Sequence, residues 1–410
     1  MVGVIFGRTF AESGMSHLLL FDKTTLSLML PAYAFVAACL PVWVLMCPRD
    51  YLSSYMKIGV MVVLGAGILI AHPTLKMPAM TPFTAGDGPV ISGTVWPFVC
   101  IVVMCGAISG FHALVGSGTT PKMIHRESEI RLIGYGAMLV EGFVAVLALV
   151  AACSLEPGDY FAINTNPATH AAMVQTVSAQ HGWDLAVREL PALEQGTQEH
   201  LAGRVGGAVT LAVGMAKVFC SLPGLKQLMS YWYHFIIMFE ALFILTLLET
   251  GTRVARFVFQ EAAATFTPRA VIGGKPHWGV NIAMSALVCG AWGYLLYSGN
   301  LNTLWRMLGI ANQLLASIAL AVGTTCLLRY APKRRYALCT GIPFVFLLVT
   351  VLVAGVTSVH QWWGQIATVP ASQVLMLRLT CGLATMMQVL TVVIALDAFR
   401  AWYRLICRRD

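Results

Sequence analysis

About ten apolar stretches, each near the length that crosses a bilayer, follow one another along the 410 residues: 26–47, 55–71, 95–116, 132–153, 206–222, 228–248, 280–298, 303–328, 337–359 and 374–397. Hydrocarbon offers backbone amides and carbonyls no hydrogen-bond partners, so each stretch must satisfy its own, and it does so as a helix. The fold class expected is an all-α polytopic membrane protein. Charged residues make up 11% of the chain, against about 25% in soluble domains, so lipid and neighbouring helices solvate most side chains. The formal charge of +8 does not mark a nucleic-acid binder. Its Lys and Arg sit in short loops, where they orient helices and meet anionic membrane lipid. Most of the eleven cysteines, among them Cys39, Cys100, Cys105, Cys289 and Cys381, lie inside apolar runs, and no CxxC pair occurs. Neither a disulfide framework nor a zinc site is expected. GSGTTPK at 116–122 lacks the spacing of a phosphate-binding loop, and no cofactor is implied. No cationic leader precedes a short apolar core, so no cleavable signal peptide is evident; 3–20, with Arg8 and Glu12, reads as an interfacial helix.

The longest polar stretch, 154–205, divides the chain into 1–153, an outer polar loop, and a second helical membrane portion, 206–410. Charge supplies the orientation. Arg49 and Lys57, then Lys122, Arg126 and Arg131, then Arg253, Arg256, Arg269 and Lys275, then Arg329 and Lys333–Arg335, and finally Arg400, Arg404, Arg408 and Arg409 mark cytoplasmic ends. Segments 72–94, 154–205, 299–302 and 360–373 then lie outside. One conflict arises: if 206–222 and 228–248 both cross, the basic stretch 249–279 falls outside. A half-length or re-entrant 206–222, broken at Ser221, Pro223 and Gly224, removes it.

Within CGAISGFHALVGSGTTPK (105–122) an apolar run gives way to Gly116, Ser117, Gly118, Thr119 and Thr120 and stops at Pro121. Gly and Pro loosen or end a helix. Non-helical backbone at membrane depth survives only against protein or a water-filled cavity, and a broken helix with small hydroxyl residues is how transporters build substrate and ion sites. A plain helix end followed by a turn is the alternative. Ionisable groups inside spans cost about 2.5–3.5 kcal/mol each at a helix centre and need a reason. The sequence places His112, Glu141, Lys217, His234 and Glu240 there. Glu141 and Glu240 are mid-span carboxyls suited to carrying a proton, or else to locking two helices. His112 closes the SGFH stretch ahead of the expected break, as a site residue or a packing group. Lys217 pairs with a carboxylate or snorkels to the interface; snorkelling is the reading adopted. Asn312 and Gln313 set two amides in a span, for bonds across helices or for a cavity wall. Trp232, Tyr233, Trp362 and Trp363 read as an interfacial belt.

Four stretches together, LPVWVLMCPRDYLSSYMKIG (40–59), SGFHALVGSGTTPKM (109–123), YWYHFIIMFEALFILTLLETGTRVARFVFQE (231–261) and GIANQLLASIALAVGTT (309–325), resemble the carbon starvation protein A family. The resemblance covers nearly the whole chain. It implies a bacterial inner-membrane transporter for peptides, or in related members pyruvate, taken up with protons. It also implies a fold in the amino acid–polyamine–cation superfamily, with inverted five-helix repeats and broken helices. Members of the family are longer, with further spans ahead of the part that aligns with residues 1–25. The expectation is that those N-terminal helices are absent here and that independent transport needs them, fused or in trans.

The function expected is secondary transport of small organic nutrients, peptides or small carboxylates, under carbon starvation, with a cytoplasmic C-terminus. The substrate would meet Ser109, His112, Gly116, Ser117, Gly118, Thr119, Thr120, Asn312 and Gln313, and protons would pass through Glu141 or Glu240. A membrane-embedded enzyme would show a His/Asp/Glu cluster or an HExxH pair in a span, and the sequence has neither, so no enzyme is expected. A transport-inactive fragment, or a partner or sensor subunit, is the remaining alternative.

Overall fold

The computed structural model describes residues 21–407 apart from 87, 92, 119, 267–270, 273–274, 277, 299–300 and 368–370. The interfacial helix expected over 3–20, Thr119, Arg269, Arg408 and Arg409 therefore lie outside the described residues. In chain order the helices are α1 (Lys23–Cys39), α2 (Met46–Ala71), α3 (Cys100–Ala107), α4 (Gly110–Gly118), α5 (Ala137–Cys153), α6 (Pro157–Asn164), α7 (Pro167–His181), α8 (Leu190–Thr197), α9 (Gly207–Cys220), α10 (Met229–Phe266), α11 (Trp278–Ser298), α12 (Leu301–Tyr330), α13 (Leu338–Gln365) and α14 (Ala371–Cys407). A two-residue antiparallel pair, Val271–Ile272 with Lys275–Pro276, is the strand structure among the described residues.

Among the described residues, eight helical stretches are long and apolar enough to cross a membrane: Met46–Ala71, Val95–Gly118, Glu127–Cys153, Met229–Ala263, Trp278–Tyr297, Leu308–Tyr330, Arg334–Gln365 and Leu377–Cys407. Thr24–Cys39 and Gly207–Cys220 are apolar but shorter. The ten segments read from the sequence are these eight and these two.

The chain folds into two compact units that interleave in sequence, Met1–Pro82 with Ile124–Tyr297, and Phe83–Met123 with Ser298–Asp410. In the first, Leu147 and Ala151 of α5, Val213 and Ala216 of α9, and Tyr233, Ile236 and Phe239 of α10 share one buried core with Leu155, Ile163 and Leu193 of the polar stretch. That stretch, 154–205, is a folded cap of three short helices. Pro157 and Pro167 start α6 and α7, where proline's missing amide is no loss, and Asn166 caps α7 by accepting from Ala168 N at 3.0 Å. The side chain of Asp159, wholly buried, accepts from the amides of Arg188, Glu189 and Leu190 at 3.0–3.2 Å and so closes the start of α8. In the second unit Ile310 of α12, Leu347, Val351 and Ala354 of α13, and Cys381 and Ala384 of α14 pack with Ile101 of α3.

Three expectations are corrected by the packing. The stretch 249–279 is not a loop at its start: α10 continues to Phe266, and Arg253 and Arg256 are 2% and 5% exposed. Both lie inside protein and say nothing about which side of the membrane they face. Trp232, Tyr233 and Trp362 are not a belt: Tyr233 and Trp362 are buried, and the Trp232 ring lies 4.5 Å from that of Phe219, whereas Trp363 is exposed. Lys217 does not snorkel. Its ammonium donates to the Glu189 carboxylate and, at 3.3 Å, to the Ser154 carbonyl, because the folded cap brings a carboxylate and a free carbonyl within reach.

Candidate functional site

The interruption in the third apolar segment falls earlier than the glycines suggested. Helix runs through Gly116, Ser117 and Gly118, and the break is at Ile108–Ser109, where Ile108 takes φ −138° and ψ 84°. Glycine alone did not break the helix: a Cβ at Gly116 would meet open space, so nothing forces the backbone apart there. At Gly110 a Cβ would press on the Asn312 carbonyl and lie 2.6 Å from the Ala316 amide nitrogen. The bare backbone of Gly110 is what lets α4 rest against α12.

A broken helix leaves amides unpaired at the new N-terminus, and here side chains take them. Asn312 Oδ1 accepts from Phe111 N at 2.8 Å and from Ser109 Oγ at 3.3 Å, while Asn312 Nδ2 points to Cys105 Sγ at 3.1 Å. Ser109 acts as the cap residue of α4: its carbonyl accepts from Ala113 N at 3.2 Å and its hydroxyl from His112 N at 3.4 Å. Gln313 is wholly buried, donates to the Ile101 carbonyl at 3.4 Å, and keeps Oε1 without a hydrogen-bond partner. Ser109, Asn312 and Gln313 thus converge on the break with the backbone of His112, whose side chain is exposed. Gly116 and Ser117 are exposed up to two turns on; Ser117 Oγ donates to Leu114 O at 3.3 Å and Thr120 Oγ1 to Val115 O at 3.2 Å.

Glu141 is exposed on α5, and Glu240 is half-buried on α10 without a hydrogen-bond partner among the described residues. His234 is exposed; its Nδ1 donates to the Ser230 carbonyl at 2.7 Å, and its Nε2 lies 3.6 Å from a Glu199 carboxylate oxygen.

The first unit also holds a charge cluster that the sequence reading missed. Glu249 on α10 has no exposed surface. Its Oε1 accepts from Arg49 Nη1 at 2.5 Å and from the Tyr33 hydroxyl, and the same Nη1 reaches the Tyr33 oxygen at 2.7 Å. Arg49 Nη2 also binds Asp50 Oδ1 at 3.0 Å, and Thr246 Oγ1 donates to that oxygen at 3.0 Å. One and two turns beyond Glu249, Arg253 and Arg256 donate to the carbonyls of Ala37 and Ala38, the last turn of α1. Those carbonyls are unpaired by the helix itself and carry the negative end of its dipole, so two cations settle there. The signal was present as the spacing of 249, 253 and 256, which puts all three on one face of a helix. It was read as the onset of a loop. Among the described residues no group of His, Cys, Asp and Glu could hold a metal.

The family described as carbon starvation protein CstA matches residues 1–354. A protein named peptide transporter CstA from Bacillus subtilis (strain 168) is 47% identical over 356 residues, covering 87% of this chain and 57% of the relative. Another of that name from Escherichia coli (strain K12) is 45% identical over 351 residues, 82% of this chain and 50% of the relative. The pyruvate/proton symporter BtsT of Escherichia coli (strain K12) is 43% identical over 387 residues, 85% of this chain and 53% of the relative. The chain thus spans about half the length of the curated relatives it matches. No solved structure matches it significantly. With motifs in family order along the chain and a family match over most of its length, the chain belongs to the carbon starvation protein CstA family.

Proposed function

We propose that this chain is the body, or a large part, of a proton-coupled secondary transporter for small organic nutrients, peptides or pyruvate-like carboxylates, serving carbon starvation in a bacterial inner membrane. Family membership and the names of the relatives support transport, and eight helices able to cross a membrane support a multi-pass protein. The observation that carries the site is the break at Ile108–Ser109 held by Asn312. The N-terminus of α4 bears the positive end of a helix dipole, which favours the carboxylate of a peptide or a small acid. Ser109, His112, Asn312 and Gln313 then form the substrate end, and Gly116, Ser117, Gly118, Thr119 and Thr120 continue the wall. Glu141 or Glu240 serves in this scheme as a relay on the path of the proton. The C-terminus is cytoplasmic in this scheme. The kinship with inverted-repeat transporters rests on the family resemblance together with the broken helix.

Uptake of labelled pyruvate and dialanine into proteoliposomes, with and without an inward proton gradient, tests the proposal. The chain is examined alone and produced together with the part of the Bacillus subtilis relative that it does not match. Gradient-driven accumulation in the second preparation, weak or absent in the first, is expected. Accumulation of neither substrate in both preparations overturns the transport reading. Vigorous uptake by the chain alone overturns the need for further helices.

A further inference from the structure

The cluster around Glu249 has features that a merely structural ion pair does not need. Its carboxylate is sealed from solvent, yet only Oε1 is used; Oε2 is buried and has no hydrogen-bond partner. Unsatisfied buried oxygens are rare and each asks for a reason. On Oε1, Tyr33 from α1, Arg49 from α2 and Glu249 from α10 meet, so the charge of one carboxylate sets a contact shared by three helices. Removing the charge of one partner in a buried pair ordinarily strands the other. Arg49 escapes that fate because Asp50 already holds its Nη2 at 3.0 Å and lies 3.4 Å from its Nε. Arg253 and Arg256 are held separately by the α1 carbonyls. The remaining charged or titratable groups at the cluster are Lys57, whose ammonium lies 4.6 Å from the centre of the Phe243 ring, and Cys39 and Cys47 near Arg253.

We propose that Glu249 takes up and releases the coupled proton, with its ion pair to Arg49 as the latch that the proton opens. The proposal deepens the transport reading and rests on it for its physiological meaning. In the step, a proton from one aqueous side binds Oε2 and forms a neutral carboxylic acid. Arg49 stays protonated on Asp50, and the contact that Oε1 makes with Arg49 and Tyr33 is released, while Thr246 still binds Asp50 and Arg253 and Arg256 still hold the α1 carbonyls. The proton later leaves Oε2 to water on the other side, and the pair with Arg49 re-forms. Around Glu249 the cations Arg49, Lys57, Arg253 and Arg256 outnumber the carboxylates Asp50 and Glu249. A proton therefore adds to an existing positive excess.

Infrared difference spectra of the purified, lipid-reconstituted chain on acidification read the proton directly. Beside the band that exposed carboxyls give, a component from a buried protonated carboxyl is expected in the unaltered chain and is lost in E249Q. That component in E249Q overturns the proposal. Should E249Q fail to fold, E249D decides: a band displaced in frequency supports the assignment, and an unmoved band overturns it. In vesicles where the unaltered protein accumulates pyruvate, E249Q is expected to lower gradient-driven accumulation at least about tenfold while pyruvate exchange persists. Equal accumulation by E249Q overturns the coupling role. If the unaltered protein shows no uptake, the transport reading fails, and the infrared band still decides whether Glu249 is the protonated group.

Discussion

Asn312 shows how one side chain turns a broken helix into a stable one. Replacing it with Leu removes the acceptor for the Phe111 amide and the Ser109 hydroxyl and leaves a buried donor unsatisfied, a loss of about 1–3 kcal/mol. We expect N312L to lower the melting temperature in detergent well below that of S109A, which spares the Phe111 bond; equal melting points would mean that Asn312 does not hold the break. A paired contrast locates the break itself. Gly110→Ala drives a methyl into the backbone of α12 and should destabilise by about 1–3 kcal/mol. Gly116→Ala meets open space inside a helix and should be neutral or stabilising, by up to about 1 kcal/mol. Thermal unfolding of the two variants checks this, and a G116A protein that unfolds as early as G110A would return the break to 116–121. The amide of Asn312 was visible in the sequence as a polar residue in an apolar run. Its partners, about 200 positions away in the chain, were not, because nothing local encodes which amides a distant break will leave free. Glu249 was hidden for a different reason. Its charge is paired with Arg49 inside the fold, and a one-dimensional reading takes charge density for a helix end.

Among the elements, the cap formed by α6, α7 and α8 departs furthest from its polar composition. The sequence showed a soluble stretch, and its order comes from burial that composition does not reveal: Leu190, Leu193 and Leu201 each have at most 6% of their surface exposed. Asp159→Ala removes the acceptor for three amides at the start of α8, and loss of such a buried cap costs about 1–3 kcal/mol. Limited proteolysis of intact vesicles should then cut within 184–200 far faster than in the unaltered protein; an unchanged pattern would show that hydrophobic burial alone orders α8. His170 adds a pH dependence. Its Nδ1 lies 2.8 Å from Thr165 Oγ1, its Nε2 is buried without a partner, and burial pushes the imidazole below its ordinary value. A folded-state value below the unfolded one means that the neutral ring belongs to the fold. The stability it contributes is whole above the unfolded value of about 6.5 and is lost as pH falls through the folded value. Protease protection of 157–181 should weaken as pH falls below about 6.5, and His170→Gln should flatten that change. A His170→Gln protein with the same pH response would assign the effect to another group.

At the scale of the whole molecule, the apolar periods and the order of motifs made the membrane fold and the family legible, whereas the interleaving of two units was not, since it depends on contacts between distant segments. Topology now turns on α9. Its fourteen residues rise about 21 Å, less than the roughly 30 Å of hydrocarbon. Both of its ends also touch the cap. At the start, Thr210 Oγ1 accepts from Asn164 Nδ2 at 2.8 Å and Gly206 N donates to Asn164 Oδ1 at 3.3 Å. At the finish, Lys217 binds Glu189 and the Ser154 carbonyl. If the cap lies outside the bilayer, a helix with both ends on it is expected to enter and leave on the same side. The count after it then shifts by one. With 154–205 outside, alternating crossings from α10 onward predict a cytoplasmic side for Lys333–Arg335 and for the end of α14, in keeping with the positive-inside rule. In a background stripped of native cysteines, single cysteines at Gln198, Gly224 and Lys333 test the whole chain of sides. Membrane-impermeant maleimide applied to intact cells should label the first two, and the third only after permeabilisation. Labelling of Lys333→Cys in intact cells would reverse the orientation. Protection of Gly224→Cys beside a labelled Gln198→Cys would make α9 a true crossing and require another short helix, α1 among them, to be recounted.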